Sequence, residues 1–481
     1  MVRDKPQELS SDSEDNKRLL LDRMQQTQDL VMIDLDDGKK GTVTFCYLEG
    51  LTDDTKLERL LALYRSHHSG LQPYRIQSGI RAIRDIAREL ASGMTVMLVH
   101  GEKSAIALDT LGVELRSVEE PASESTVKGP RSGFTESFRN NIALVRYYCP
   151  SADLKVEYKE VGTVSELKLA VLSCGGIVNP HLLNEVHRRL AEIPADAVIG
   201  TNYIEEWITD NRGTLFPLIE STERPDRVVA ALMEGRIAIL VQGSPFALIA
   251  PFVFLQAFQV SEDYAWNYYI SSSIRMLRLL CAVIGMLLPA FYVATVTFHQ
   301  ELVPTPLLQS IASAKEPVPF PAVVESFTMM IAFEIMREAG VRMPKQVGQA
   351  VSIVGALILG QAAVQAGIVS PIMVIVAALT GIATFTLPPT AMNYVVRMIQ
   401  FGMTLFASIL GYVGIMVGII MLMTYLASLR SFGVPYFAPA APFNLEELSD
   451  IVVRRPATLN NKRPALFQPL RRMRFRGRSG R

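Results

Sequence analysis

Apolar and polar positions follow two regimes along this chain. Before about residue 250 the apolar runs are short and alternate with amphipathic, polar stretches, the pattern of strands and helices in a globular fold. Beyond that point the runs lengthen. Leu279 to Phe298 is 20 residues without a charge, the length a helix needs to cross the hydrocarbon core of a bilayer. Val347–Ile368, Val369–Leu387 and Met398–Leu429 follow. Lipid offers the backbone no hydrogen-bond partner, so these runs are predicted to be membrane-spanning helices. Two nearby segments read less simply. Phe246–Val260 is apolar, short and carries Pro251; it is expected to end a hairpin and run into an interfacial helix. Val323–Ala339 is apolar but holds Glu325, Glu334, Arg337 and Glu338, which suits either an interfacial helix or a spanning helix that does polar work.

The polar half contains a repeat. ELASGMTVMLVHGEKSAIALD from Glu89 aligns with ALMEGRIAILVQGSPFALIAP from Ala231 at an offset of 142 residues. Gly93 matches Gly235 and Gly101 matches Gly243. Each copy predicts an amphipathic helix followed by a β-hairpin with a glycine turn. A weaker echo pairs VTFCYLEGLTDDTKLERLLALY from Val43 with LAVLSCGGIVNPHLLNEVHRRLAEI from Leu169, each a strand, a glycine-bearing turn and a helix. Asp53–Asp54 and Asn179–Pro180 are the expected helix starts.

The expected fold class is therefore α+β: a cytoplasmic N-terminal region of two similar α/β subdomains, followed by an all-α polytopic membrane domain. The expected divisions are a disordered segment 1–27, subdomains 28–119 and 150–250, and a connector with a helix from Thr135 between them, 120–149. A helical membrane domain then covers 251–444, with spans near 277–298, 347–368, 369–388 and 400–429 and a marginal one at 323–340. A basic tail, 445–481, closes the chain.

The net charge is zero, yet from Ile451 onward there are ten Lys or Arg and no Asp or Glu. Basic segments beside spans stay on the cytoplasmic side, so the tail reads as a topology signal or as a partner for anionic lipid. No signal-peptide pattern precedes the polar half, which is expected on the same side. Both termini on one face require an even number of crossings. Cys46, Cys149, Cys174 and Cys281 show no paired spacing, so neither a metal site nor a disulfide framework is expected.

Catalytic patterns are missing: no phosphate-binding GxxxxGK[ST] loop, no HExxH, no GxSxG and no dinucleotide fingerprint. No enzyme activity and no cofactor are expected. The loop Lys128–Phe134, with Gly129, Pro130, Arg131 and Gly133, reads as an anion cradle or as a structural turn before a helix. The membrane half carries costlier residues. Glu325 and Glu334 are nine apart, about 180° on an ideal helix, so they cannot both face one pore. Gln361 and Gln365 share a helix face and are candidates for a polar lining or for interhelical bonds; Asn393 and Arg397 share another, just after Pro388–Pro389, as candidate polar membrane residues whose charge sits in the headgroups. Gly411, Gly414 and Gly418 mark candidate helix packing, the last two as a GxxxG.

KGPRSGFTESFRNNIALVR from Lys128, TNYIEEWITDN from Thr201, STERPDRVVAALMEGRIAILVQGSPFALIAP from Ser221 and ASLRSFGVPYFAPAAPFN from Ala427 together carry a resemblance. From about residue 28 to Asn444 the chain resembles an A subunit of the GerA family of spore germination receptors. The resemblance implies a membrane subunit in the inner membrane of a dormant spore. It implies a transporter-like B subunit and a lipoprotein C subunit as partners. It also implies self-association, as a pentamer, into a ligand-gated cation channel. A stage V sporulation paralogue shares the architecture. A secondary transporter is a third reading, but transporters show repeats among their spans, and here the repeat lies in the polar half.

Overall fold

A computed structural model describes residues 7–36, 42–65, 74–112, 121, 124, 126–343, 360–388 and 391–474. The first subdomain opens with helix α1 (Ser13–Arg23), where disorder was expected. Asp12 caps it by accepting from the Glu14 N–H, and Leu20 is fully buried. Strands β1 (Leu30–Asp36) and β2 (Thr42–Leu48) precede helix α2 (Asp54–Arg65). Strand β3 (Arg75–Ile80), helix α3 (Ile83–Ala91) and the hairpin β4 (Thr95–Val99) and β5 (Ala105–Leu108) complete it. The sheet runs in the order β1-β2-β4-β5-β3, every pair antiparallel.

Helix α4 (Phe138–Tyr148) starts at Ser137, whose side chain accepts from the Asn140 N–H, two residues later than the expected Thr135. The second subdomain then repeats the plan. It comprises β6 (Leu154–Val161), β7 (Leu167–Cys174), α5 (Pro180–Ala191), α6 (Thr201–Ile208), β8 (Glu220–Thr222), α7 (Pro225–Glu234), β9 (Ile237–Val241) and β10 (Ala247–Ala250). Its order, β6-β7-β9-β10-β8, is the first order again. Helices cover both faces of each sheet. Ile237, Ile239 and Val241 pack with α5 and α6, while Ala238 and Leu240 pack with α4 and α7. That two-sided cover is why β9 and β10 are apolar at every position.

The subdomains are joined by a buried ion pair. Arg146 on α4 donates through Nε and Nη2 to the two oxygens of Asp29 at 2.8 Å each, both side chains at 0% exposure. Beside it, Gln28 N–H donates to Val156 of β6 at 3.0 Å.

Phe246–Val260 is not an interfacial α-helix. Its first part is β10, and Phe254–Phe258 is a 3-10 turn packed at the base of the bundle. The bundle consists of α8 (Tyr268–Phe298), α9 (Thr305–Lys315), α10 (Ala322–Arg342), residues 360–365 in helix, α11 (Pro371–Phe385) and α12 (Met392–Ser428). Two of these, α8 and α12, are long and apolar enough to cross a membrane. The first part of the expected span Val347–Ile368 lies outside the described residues.

The expected single span 400–429 is instead part of a hairpin. At Gly411 the backbone is non-helical, φ 60° and ψ −137°, and the chain reverses. Gly414 then lies against the Phe406 carbonyl so closely that a Cβ there would overlap it. A Cβ on Gly418 would come within 2.7 Å of the Met403 sulfur. The glycines thus pack α12 against itself. The second arm returns to the soluble region, where Phe432 enters the core of the second subdomain.

The basic tail is folded through its described residues, which end at 474. After α13 (Leu445–Val452), Phe467 is buried under Arg236, and Leu470 N–H donates to Ile177 at 2.9 Å.

Candidate functional site

The residues of the STERPDR stretch meet the connector, the bundle and the tail at one junction. Glu220, on the edge strand β8, is the anion at its centre. Arg236 donates to it at 2.9 Å and Arg227 donates to its other oxygen. Glu220 is 6% exposed. Burial pushes its pKa up, but the two guanidinium groups outweigh this and hold the carboxyl below its ordinary value. Arg227 also donates to the carbonyl of Gln259 at 2.9 Å, on the segment that leads into the bundle.

Arg224 clamps the connector. It donates to the carbonyls of Pro130 at 2.8 Å and Glu124 at 3.2 Å, and it pairs with Asp226. The loop Lys128–Phe134 is thereby held as a structural turn: Gly133 and Phe134 are buried, and Phe134 N–H donates to Glu223 at 2.7 Å. Gly129, Pro130 and Arg131 remain exposed. Lys128 lies over the Trp266 ring at 4.9 Å. Glu124 accepts from the Thr222 hydroxyl at 2.8 Å, and burial pushes its pKa up to about 7.

One step further, Asp263 is 3% exposed and anchors the first turns of α8. Arg275 donates to it at 2.8 Å and Arg278 at 3.2 Å. Arg278 also donates to the Phe258 carbonyl, and Arg275 to the Asp450 carbonyl of α13. An unbroken set of hydrogen bonds and packed segments therefore joins the connector loop to α8. Composition gave no hint of this junction. Its signal in the sequence was the density of Arg, Asp and Glu in an otherwise apolar repeat copy.

In the bundle, the candidate polar residues separate into three places. Glu325 is buried, accepts from Ser370 N–H at 2.8 Å at the start of α11, and lies 3.4 Å from Lys315. A carboxylate there faces the positive end of the α11 dipole. Glu334 accepts from Arg397 at 2.8 and 3.0 Å and from Arg337. Arg397 Nε donates to the Asn393 carbonyl at 3.0 Å. Gln361 and Gln365 are exposed on the outer side of the bundle and join neither group.

An open groove of about 510 Å³ lies between the subdomains, lined by Phe138, Arg139, Tyr158, Lys159, Lys168 and Glu49 among others. Its size falls in the range of small-molecule sites. Among the described residues no group of His, Cys, Asp and Glu is placed to hold a metal ion.

Comparison with known proteins is consistent over most of the chain. The family described as Bacillus/Clostridium GerA spore germination protein matches residues 18–466. Spore germination protein KA of Bacillus subtilis (strain 168) is 44% identical over 453 residues, 91% of this chain and 83% of that protein. Spore germination protein GerLA of Bacillus cereus is 41% identical over 384 residues, 80% of this chain and 78% of that one. A solved structure, the N-terminal domain of the A subunit of the Bacillus megaterium spore germinant receptor GerK3, is 25% identical. It covers 52% of this chain and 98% of its own, with a TM-score of 0.41.

Proposed function

The chain belongs to the Bacillus/Clostridium GerA family of spore germination proteins, and from that premise we propose that it is the A-type subunit of a nutrient germinant receptor, acting as part of a ligand-gated cation channel. It is a receptor component and not an enzyme, and its apolar helices associate it with a membrane. In the proposed assembly the bundle crosses the inner membrane of the spore and the soluble region lies on the cytoplasmic side. A B-type transporter-like subunit and a C-type lipoprotein bind alongside, and copies of this chain associate, as a pentamer, around the cation pathway.

The observation that carries the channel reading is the outward placement of Gln361 and Gln365. Polar side chains facing lipid are costly, and these two stand exposed on one helix face. A second copy or a water-filled pathway between copies would supply a polar neighbour. The junction around Glu220 and Asp263 supports the gating half of the reading, because a shift between the subdomains reaches α8 through buried ion pairs. A signal entering at the groove between the subdomains has that route to the bundle.

The test is a current measurement. The chain is reconstituted with and without its B-type and C-type partners, and conductance is recorded before and after nutrient. A nutrient-dependent cation current, reduced severalfold or more by Gln361→Leu, is expected. If the assembled complex passes no current, the channel reading fails and the chain is a scaffold that hands the signal to another channel.

A further inference from the structure

Arg337 and Arg397 form a cationic notch on the bundle that one carboxylate does not neutralise. Both guanidinium groups converge on Glu334, so the three side chains sum to +1. Both also lie over one ring, that of Tyr394, at 5.2 and 4.7 Å. Glu334 occupies Nε and Nη2 of Arg337 and Nη1 of Arg397, leaving Arg337 Nη1 and Arg397 Nη2 without a partner among the described residues. One turn back on the same face as Arg397, Asn393 Oδ1 is buried with no hydrogen-bond donor. The notch continues into a cavity of about 50 Å³ that also meets Thr380, Thr384 and Gln400.

Its depth and rim are informative. Arg397 is five residues, about 8 Å, along the helix from Met392, which packs with Phe216 and Phe252 of the soluble region. That is headgroup depth if the bundle lies in a bilayer. Around the notch, Phe385 is 69% exposed, Ile335 65%, Tyr394 56% and Met398 56%. An apolar rim beside two spare guanidinium faces fits a molecule with an anionic head and long apolar chains. Arginine is well suited to phosphate because its donors match the oxygens in pairs.

We propose that the notch formed by Arg337, Arg397 and Tyr394 on α10 and α12 binds the phosphate of an anionic phospholipid headgroup. Glu334 partly neutralises the two arginines and so sets the affinity. The proposal rests on the membrane placement proposed above.

The full chain, purified in neutral detergent, is titrated with phosphatidylglycerol or phosphatidylcholine, and retained lipid is counted by native mass spectrometry. Phosphatidylglycerol is expected to be retained at least fivefold over phosphatidylcholine. Arg337→Gln with Arg397→Gln abolishes the difference. That variant can also fail through misfolding, so Glu334→Gln decides: it raises the notch to +2 and is expected to increase phosphatidylglycerol retention about threefold. A lower retention with Glu334→Gln overturns the proposal, as does equal retention of the two lipids. Arg471→Gln with Arg472→Gln, in the tail, is expected to change nothing; loss of retention there assigns the lipid to the tail and also overturns it. Flotation with phosphatidylcholine vesicles reads the membrane placement separately.

Discussion

At the start of the central hairpin the first subdomain has Met94 and the second has Arg236. Both follow a glycine with left-handed φ, Gly93 at +88° and Gly235 at +93°, and both enter the same strand of the same sheet order. Met94 packs against the apolar core of its subdomain. Arg236 is more deeply placed, 5% exposed, where Met94 is only half-buried, and it pairs with Glu220 and stacks on Phe467 of the tail. Among the described residues the first subdomain holds α4 and the edge of the second sheet at β6. The second holds the connector, the tail and the root of α8. The lesson is that a repeated backbone can keep its plan while one copy exchanges apolar interior for buried charge where other segments must be fixed in one geometry. Buried ion pairs add little net stability over apolar packing, but their geometry is specific, and breaking one leaves an uncompensated charge.

The comparison can be broken or sharpened by substitution in the full chain, with unfolding followed in detergent. Glu220→Gln leaves Arg227 and Arg236 buried without their shared anion. A loss of about 3–5 kcal/mol is expected, and a loss below 1 kcal/mol would show that the second copy does not depend on its charges. At the first-copy counterpart of Arg236, Met94→Leu conserves volume in an apolar site and should cost less than about 1.5 kcal/mol. A smaller effect, about 0.2–1 kcal/mol, is expected for Asp54→Asn. Its pair with Arg139 also bridges first subdomain and α4, but both partners are solvated.

The last prediction concerns pH. Glu124, at the edge of the second copy, has its pKa raised from 4.5 to about 7 by burial. Between those values the unfolded chain binds fewer protons than the folded one, so stability from this group is complete below about pH 4.5 and falls as pH rises through about 7. Glu124→Gln should flatten the melting temperature between pH 4.5 and 8; an unchanged slope removes Glu124 as its source.

Much of the soluble fold was legible because its signals are local. The glycine turns at Gly101 and Gly243 and the cap Asn179 with Pro180 act within a few residues, and the structure has both hairpins and that cap. Helix α1 was missed because its charged surface masks one buried stripe, Leu20 and Met24, and its cap is a single Asp12. The hairpin in α12 was missed for another reason. A long apolar run shows no periodicity break, although 37 helical residues would extend about 55 Å, well beyond a bilayer core. Of the candidate site residues, the pairing of Glu334 with Arg397 spans 63 positions, and no spacing rule reaches that far.

The sequence by itself determined the two regimes, the duplicated subdomain plan and the family, because these depend on local patterning and on long runs of matching residues. Tertiary structure alone decided which charges are buried and with whom. Glu220 meets Arg236 across 16 residues, Asp29 meets Arg146 across 117, and Arg463 of the tail donates to Met233 across 230. The reason is physical: a buried charge is tolerable only with its partner in place, and that partner is fixed by how the elements pack, not by its distance along the chain.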